Sequence, residues 1–174
     1  MTAVQPGHHA PRVVLIGPMG AGKSTVAAVL GERWGVAVRD TDAVVEAVEG
    51  RSISDIFVDS GEARFRELEA AAVATALASH DGVLALGGGA VMDPGSRELL
   101  AGHRVVFLQV GLSEAVKRVG LGTSRPLLLG NVRARVKATL DERTPIYESV
   151  ATLSVDTDAR TPEQVADAIE EALG

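Results

Sequence analysis

Residues 17–25, with the order Gly-Pro-Met-Gly-Ala-Gly-Lys-Ser-Thr, have the types and spacing of a loop that binds phosphate. In the pattern G-x-x-x-x-G-K-[ST], the backbone N–H groups of a glycine-rich turn surround phosphate oxygens at the positive end of a helix dipole. Lys23 would reach the β- and γ-phosphates, and Ser24 would bind a magnesium ion. The pattern predicts a nucleotide site with Mg²⁺ as cofactor, formed by Gly20, Ala21, Gly22, Lys23, Ser24 and Thr25.

A plain glycine turn with Lys23 in solvent is the alternative interpretation. The apolar run 13–16 before the loop is typical of a strand, and the run 26–30 after it is typical of a helix. Because a phosphate loop requires this strand-then-helix context, the flanking sequence favours phosphate binding over the plain turn.

Two carboxylates, Asp40 and Asp42, follow the second predicted strand. Side chains at positions i and i+2 of an extended chain point to the same side, so both would face the bound phosphates. One could hold magnesium through water while the other engages a hydroxyl that is to be phosphorylated. Either aspartate could instead cap the next helix, but the pairing beside a phosphate loop favours the chemical role.

Three consecutive glycines, Gly87, Gly88 and Gly89, follow the third predicted strand. They leave a surface without side chains, against which a ligand can lie, although a flexible turn would also accept them. Arg66 and Arg143 could supply the matching cations, since a planar guanidinium binds a carboxylate or phosphate through two parallel hydrogen bonds. Taken singly, each arginine could be an ordinary solvated charge, as could Arg64.

Three further arginines, Arg118, Arg125 and Arg160, lie near the fourth and fifth predicted strands. That position places them on the nucleotide side of the sheet. Arg125 follows a glycine-bearing polar segment, and we expect it to belong to a lid at about 119–130. Such an arginine would neutralise charge on the transferring phosphoryl group, while the lid excludes water that would compete as acceptor.

Short β-type runs alternate with helical patterns along the chain and predict a parallel sheet covered on both faces. The predicted strands are 12–16, 36–39, 83–86, 104–110 and 152–155. The predicted helices are 22–34, 42–49, 52–57, 62–79, 94–101, 113–118, 131–143, where Pro145 is expected to interrupt the pattern, and a last helix opened by Thr161. Ligands of such sheets bind beyond the carboxyl ends of the strands, which is where the candidate residues fall.

Composition limits the kind of protein that this sequence can encode. The chain has 174 residues, 46% of them hydrophobic and 23% charged, which predicts a single domain over 12–174 after a flexible leader at 1–11. Its formal charge of -6 gives no support for binding nucleic acid or a membrane surface. With no cysteine and no apolar run of membrane-spanning length, we expect a cytoplasmic protein. His8 and His9 are expected to be a solvated pair.

Taken in order, the motifs of this chain resemble the shikimate kinase family. The matching segments are residues 17–25, Asp40-Thr41-Asp42, Gly61-Glu62 with Phe65-Arg66, Gly87-Gly88-Gly89-Ala90, Arg125-Pro126-Leu127 and Arg143-Thr144-Pro145-Ile146-Tyr147. The resemblance implies a P-loop NTPase fold of the nucleoside-monophosphate-kinase type, a three-layer α/β/α structure with five parallel strands in the order 2-3-1-4-5. It also implies transfer of the γ-phosphoryl group of ATP to the 3-hydroxyl of shikimate, on the route to chorismate and the aromatic amino acids.

The resemblance also implies a role for each matching residue. Lys23, Asp42 and Arg125 would be catalytic. Shikimate would be bound by Asp42, Arg66, Gly88 and Arg143. The nucleotide would be bound by residues 20–25 with Arg118, Arg125 and Arg160, and magnesium by Ser24 and, through water, by Asp40. The partners would be ATP and shikimate, and we expect a monomer.

Two other functions fit the same phosphate loop. A kinase for another small hydroxy acid, such as gluconate, would share the fold and differ only in the acceptor pocket. A nucleotide-binding module that transfers no phosphate would keep the loop, but it would have no need for Lys23, Asp42 and Arg125 together.

Overall fold

The computed structural model of the protein describes residues 10–120 and 129–174 and contains a five-stranded sheet in these ranges. The strands are β1 (Val13–Ile16), β2 (Val38–Asp40), β3 (Val83–Ala85), β4 (Val105–Gln109) and β5 (Leu153–Asp156). Their order across the sheet is β2-β3-β1-β4-β5, and every neighbouring pair is parallel. The predicted fold class and strand order are therefore confirmed.

Helices connect the strands and cover the sheet. They are α1 (Lys23–Trp34), α2 (Thr41–Glu49), α3 (Ile53–Ser60), α4 (Glu62–Ser79), α5 (Pro94–Leu100), α6 (Leu112–Gly120), α7 (Leu129–Val150) and α8 (Pro162–Leu173), with a 3₁₀ turn at Ala90–Met92. Within the described ranges, no helix combines the length and the apolar character that crossing a bilayer requires.

Strand β1 is buried on both faces because its side chains alternate between two apolar clusters. Val13 and Leu15 pack with α1 and α8, whereas Val14 and Ile16 pack with α4, α5 and α7. All four side chains are at most 1% exposed. This two-sided burial is typical of the central strand of a parallel sheet, and it fixes the position of the loop that follows Ile16.

A third, smaller cluster lies beside the sheet. Val45 of α2, Ile56 of α3 and Phe65 of α4 are buried against one another there. This packing joins α2, α3 and the first turns of α4 into one unit at the carboxyl end of β2 and β3. Residues that point from this unit toward the phosphate loop therefore have fixed positions.

The predicted interruption of the seventh helix at Pro145 is wrong. Helix α7 continues through Pro145 to Val150. A proline inside a helix removes one backbone hydrogen bond and crowds the carbonyl four residues earlier. The next turn nevertheless stays helical, because Tyr147 is buried and stacks on Phe107 of β4 with the ring centroids 5.0 Å apart. Tertiary packing here outweighs the local cost.

Two predicted segments fall largely outside the described residues. Most of the leader expected at 1–11 precedes residue 10, and most of the lid expected at about 119–130 lies in 121–128. Arg125 is among the latter, so its predicted place over the phosphoryl group stays a prediction.

An added methyl group at Gly82, just before β3, should destabilise the protein. A Cβ atom at Gly82 would overlap the carbonyl oxygen of Ala37, which accepts a hydrogen bond from the Val83 amide at 2.9 Å. We expect Gly82→Ala to lower the free energy of unfolding by about 2–3 kcal/mol, because β3 must shift away from β2. Urea denaturation followed by circular dichroism measures this change.

Gly35→Ala is the matched control. Gly35 ends α1 at a φ of 63°, and nothing lies within 4 Å of its Cβ position. That substitution should cost only about 1 kcal/mol, from backbone strain alone. A Gly82→Ala variant as stable as Gly35→Ala would contradict the packing described here.

Candidate active site

The loop between β1 and α1 has the backbone geometry of an anion site. Gly20 and Gly22 adopt φ values of 85° and 87°, in the region that side chains disfavour. Helix α1 begins at Lys23 and has no side-chain cap on its first amides. Those amides are therefore open to a bound anion at the positive end of the helix.

Lys23 folds back over this loop. Its Nζ donates to the carbonyl oxygens of Gly17 at 2.7 Å and Pro18 at 2.9 Å. Burial lowers the pKa of Lys23 to about 8, although the neighbouring carboxylates of Asp42 and Asp40 oppose the shift. The ammonium is thus held by neutral carbonyls, which a phosphate could replace with a stronger, charged partner.

Asp40 does two things at once. Its Oδ1 accepts a hydrogen bond from the Asp42 amide at 2.9 Å and so caps α2, which is the alternative role considered for this residue in the sequence. Its Oδ2 accepts a hydrogen bond from Ser24 Oγ, also at 2.9 Å. Because a carboxylate has two oxygens, capping the helix leaves one oxygen facing the phosphate loop.

Two carboxylates approach the glycine turn that follows β3. A Cβ atom on Gly87 would lie 2.5 Å from Asp42 Oδ1 and 2.9 Å from Glu69 Oε2, so any other residue there would displace these carboxylates. Burial raises the pKa of Asp42, and the charge of Asp40 adds to the shift while Lys23 opposes it. Burial likewise raises the pKa of Glu69, with Arg66 opposing the shift.

Arg66 projects from the start of α4 to the same turn. Its Nη1 donates to Glu69 Oε1 at 2.8 Å, and its guanidinium occupies the space that a side chain on Gly89 would fill. Glu62 Oε1 lies 3.5 Å from Nη2. Arg64, in contrast, pairs with the exposed Glu67 on the outside of the helix, as expected of an ordinary surface charge.

These groups line one cleft of about 610 Å³. The sequence-predicted residues that the cleft brings together are Gly20, Gly22, Lys23, Ser24, Thr25, Asp40, Asp42, Arg66, Gly88 and Arg143. An apolar wall is added by Ile53, Phe57, Phe65 and Leu86, and the rings of Phe57 and Phe65 lie 5.0 Å apart. Charged groups of both signs thus meet a ring-sized apolar surface beside the phosphate loop.

A second cleft, of about 350 Å³, lies on the other side of the phosphate loop. Arg118 and Arg160 line it, together with Ala21, Thr25 and Pro162. Arg118 is held in place because its Nη1 donates to the carbonyl oxygen of Gly20 at 2.7 Å. The two arginines that sequence analysis assigned to the nucleotide side therefore do lie together.

Several residues in or beside these clefts had no predicted role. Glu69 follows Arg66 by three residues on α4, a spacing that signals an ion pair on a helix face. Tyr147 follows Arg143 by four residues on α7, and its hydroxyl donates to the carbonyl oxygen of Gly88. The signals for Phe57 and Pro162 are weaker, because an aromatic residue and a helix-opening proline are common in any fold.

Comparison with known proteins identifies this arrangement. The family model described as shikimate kinase matches residues 19–174. The chain belongs to the shikimate kinase family. Like other shikimate kinases, it is a kinase that uses ATP as co-substrate. A shikimate kinase of Thermobifida fusca (strain YX) is 58% identical over 163 residues, which are 94% of this chain and 95% of the relative.

Solved structures agree with this family assignment. A shikimate kinase from Acinetobacter baumannii in complex with shikimate superposes with a TM-score of 0.87 at 32% identity, over 95% of this chain and 94% of that chain. A gluconokinase from Sinorhizobium meliloti 1021 superposes with a TM-score of 0.56 at 20% identity, over 95% and 96% of the two chains. The likeness to the gluconokinase shows the fold alone, whereas the shikimate kinases share the sequence as well.

The pKa of Lys23 leads to a pH dependence of nucleotide use. Lys23 is charged below about pH 8 and neutral above it, and a neutral amine does not attract phosphate. We expect kcat/KM for ATP to fall as the pH rises through about 8. The value of kcat should stay constant to a higher pH, because bound phosphate raises the pKa of the Lys23 ammonium.

Initial rates at saturating acceptor across the pH range test this expectation. Lys23→Arg is the control, because a guanidinium keeps its charge throughout the range and should remove the alkaline limb from whatever activity remains. A parent profile that stays flat to about pH 10, where an ordinary lysine titrates, would contradict the role of burial.

Proposed function

We propose that this chain transfers the γ-phosphoryl group of ATP to the 3-hydroxyl of shikimate, giving shikimate 3-phosphate and ADP. The observation that carries the proposal is the single cleft in which Lys23, Asp42 and Arg66 converge. A triphosphate on the loop and a small ring acid beside it would share this space. The binding of shikimate by the Acinetobacter baumannii relative supports the same choice of acceptor.

The acceptor side of the cleft suits a hydroxylated carboxylic acid. Arg66 and Arg143 supply guanidinium groups for the carboxylate, and the apolar wall of Phe57 and Phe65 faces the ring. Asp42 is the acceptor for the hydroxyl proton. In a loose phosphoryl-transfer transition state this carboxylate mainly orients the attacking oxygen, so a strongly basic group is not required.

The nucleotide side holds ATP from two directions. The open amides at the start of α1 bind phosphate oxygens, and Lys23 exchanges its carbonyl partners for the β- and γ-phosphates. Arg118 and Arg160 flank the base in the second cleft. Arg125, which lies outside the described residues, would act as the lid arginine on the transferring phosphoryl group.

Magnesium fits the oxygen atoms present at the loop. Ser24 Oγ and Asp40 Oδ2 already lie 2.9 Å apart, and hydroxyl and carboxylate oxygens are ligands that Mg²⁺ prefers. Within the described ranges, no cluster of three His, Cys, Asp or Glu residues forms a metal cage. That is compatible with an ion that takes most of its ligands from water and phosphate. When bound, it would neutralise charge on the phosphates.

Several expectations about the whole protein remain part of this proposal. We expect a cytoplasmic monomer that binds neither nucleic acid nor membrane. The formal charge of -6 supports the last two expectations, because a protein of that charge is repelled by nucleic acid and by anionic membrane surfaces.

A panel of acceptors tests the proposed reaction. ADP release, measured by a coupled assay with ATP and Mg²⁺, should depend on shikimate and should not rise with gluconate. Turnover with gluconate alone would move the assignment to the sugar-acid kinases. ATP binding by calorimetry without turnover on any acceptor would favour the nucleotide-binding module.

Replacing the carboxylate of Asp42 should slow the reaction without weakening the binding of the nucleotide. We expect Asp42→Asn to lower kcat by about 10²- to 10⁴-fold at pH 7, because the amide keeps the shape but lacks the negative charge that orients the hydroxyl and accepts its proton. The affinity for ATP, measured by calorimetry, should change little. Asp55→Asn, at an exposed aspartate of α3, is the control and should keep the parent rate. A normal kcat for Asp42→Asn would rule out this role.

A further inference from the structure

The glycine turn after β3 is held from two sides by buried hydroxyl groups. Thr41 Oγ1 accepts a hydrogen bond from the Gly87 amide at 3.1 Å. Tyr147 Oη donates to the carbonyl oxygen of Gly88. Thr41 is 0% exposed and Tyr147 is 1% exposed, so both side chains are held within the protein. The amides of Ala90 and Met92 bond the other two carbonyls of the turn, at Gly87 and Gly89, so the two hydroxyls hold groups that the backbone leaves unpaired.

These two hydrogen bonds fix the direction of neighbouring backbone amides. The peptide between Gly88 and Gly89 is trans and planar, so its carbonyl and its N–H point in opposite directions. Holding the Gly88 carbonyl at Tyr147 therefore sets where the Gly89 N–H points. Among the residues that the structure describes, no group accepts a hydrogen bond from the amides of Gly88 and Gly89, and both glycines line the larger cleft.

The two hydroxyls also connect the turn to the charged groups of the cleft. Thr41 stands between Asp40 and Asp42 at the start of α2. Tyr147 lies one helical turn after Arg143 on α7, and the charge of that guanidinium acts on its phenol. A displacement of the turn would thus change its distance from both the hydroxyl-binding and the carboxylate-binding sides.

Tyr147 is suited to remain a donor. Burial raises the pKa of its phenol, although Arg143 opposes the shift. The ring is fixed independently of the hydroxyl, because it stacks on Phe107 with the centroids 5.0 Å apart. The hydroxyl can therefore be removed while the packing of the ring is kept.

We propose that Thr41 and Tyr147 are positioning residues for the acceptor pocket, which act by orienting the Gly87, Gly88 and Gly89 turn so that its free amides meet oxygens of the bound acid. This inference rests on the proposed function, since it assumes that the acceptor lies against the turn. It assigns no contact between either hydroxyl and the substrate.

The first test is Tyr147→Phe, which removes one oxygen atom. We expect KM for shikimate to rise about 5- to 10-fold, as befits the loss of one buried hydrogen bond, with KM for ATP within about twofold of the parent. Calorimetry with shikimate should show the same loss of affinity. If the substitution only destabilised the protein, it would weaken the binding of both substrates equally, or it would lower the midpoint of thermal unfolding without changing either KM.

Thr41→Val removes the second hydroxyl at nearly constant volume and should also raise KM for shikimate selectively. Because both hydroxyls hold the same turn, the rise in the double variant should be smaller than the product of the two single effects. Thr152→Val is the matched control. Its hydroxyl bonds the backbone of Val105 at 3.0 Å, at the amino end of β5 and away from both clefts, so its kinetic constants should stay at parent values.

Failure of this inference can be told apart from failure of the proposed function. If the parent protein does not phosphorylate shikimate, the function itself is wrong. If the parent does so while Tyr147→Phe and Thr41→Val keep the parent KM for shikimate, the positioning role is wrong. Equal increases in KM for shikimate and for ATP would also overturn it.

Discussion

The carboxylates of Asp42 and Glu69 approach the backbone at Gly87 more closely than any side chain at that position would allow. Arg66 similarly occupies the space beside Gly89. The acceptor pocket depends on this steric constraint, because it lets two carboxylates and a guanidinium meet a turn of bare backbone. The glycines thus provide volume for charged groups as well as a surface for a ligand.

Such a concentration of charge has to be balanced in a partly buried cleft. Arg66 is paired with Glu69, and Lys23 is held by carbonyl oxygens near Asp42. Burial pushes each of these groups toward its neutral form, which is why the pKa of Lys23 is lowered and that of Asp42 is raised. A bound phosphate would give Lys23 a charged partner in place of these carbonyls and would favour its ammonium form.

Local sequence patterns predicted the elements of the fold well, but they did not determine the arrangement of the strands. Short β-type runs located all five strands, including β2 and β5, which are only partly buried. The order 2-3-1-4-5 came with the family resemblance, since periodicity carries no information about which strands are neighbours. The helix break expected at Pro145 was wrong for a related reason, because the burial of Tyr147 against Phe107 is a tertiary contact that local propensity does not contain.

Part of the candidate site was predictable because its residues stand near strand ends. Lys23 begins the helix that follows the loop after β1, and Asp42 stands two residues after the end of β2; a parallel sheet brings such carboxyl ends to one edge. Arg66 and Arg143 lie within long helices and were predicted from their guanidinium chemistry and from the family motifs. Glu69 and Tyr147 lie in the same two helices, but their roles depend on tertiary contacts with the glycine turn, which the sequence does not show.

Asp40 shows a different limit of sequence reasoning. The choice between capping a helix and serving the nucleotide assumed that one carboxylate does one task. In the structure, Oδ1 caps α2 while Oδ2 bonds Ser24. The cap fixes the orientation of the whole carboxylate, and this orientation holds the second oxygen at the phosphate loop. A side chain with two equivalent acceptor oxygens can therefore cap a helix and serve a binding site at the same time. In Asp40, the cap on α2 helps to place the oxygen that faces the phosphate loop.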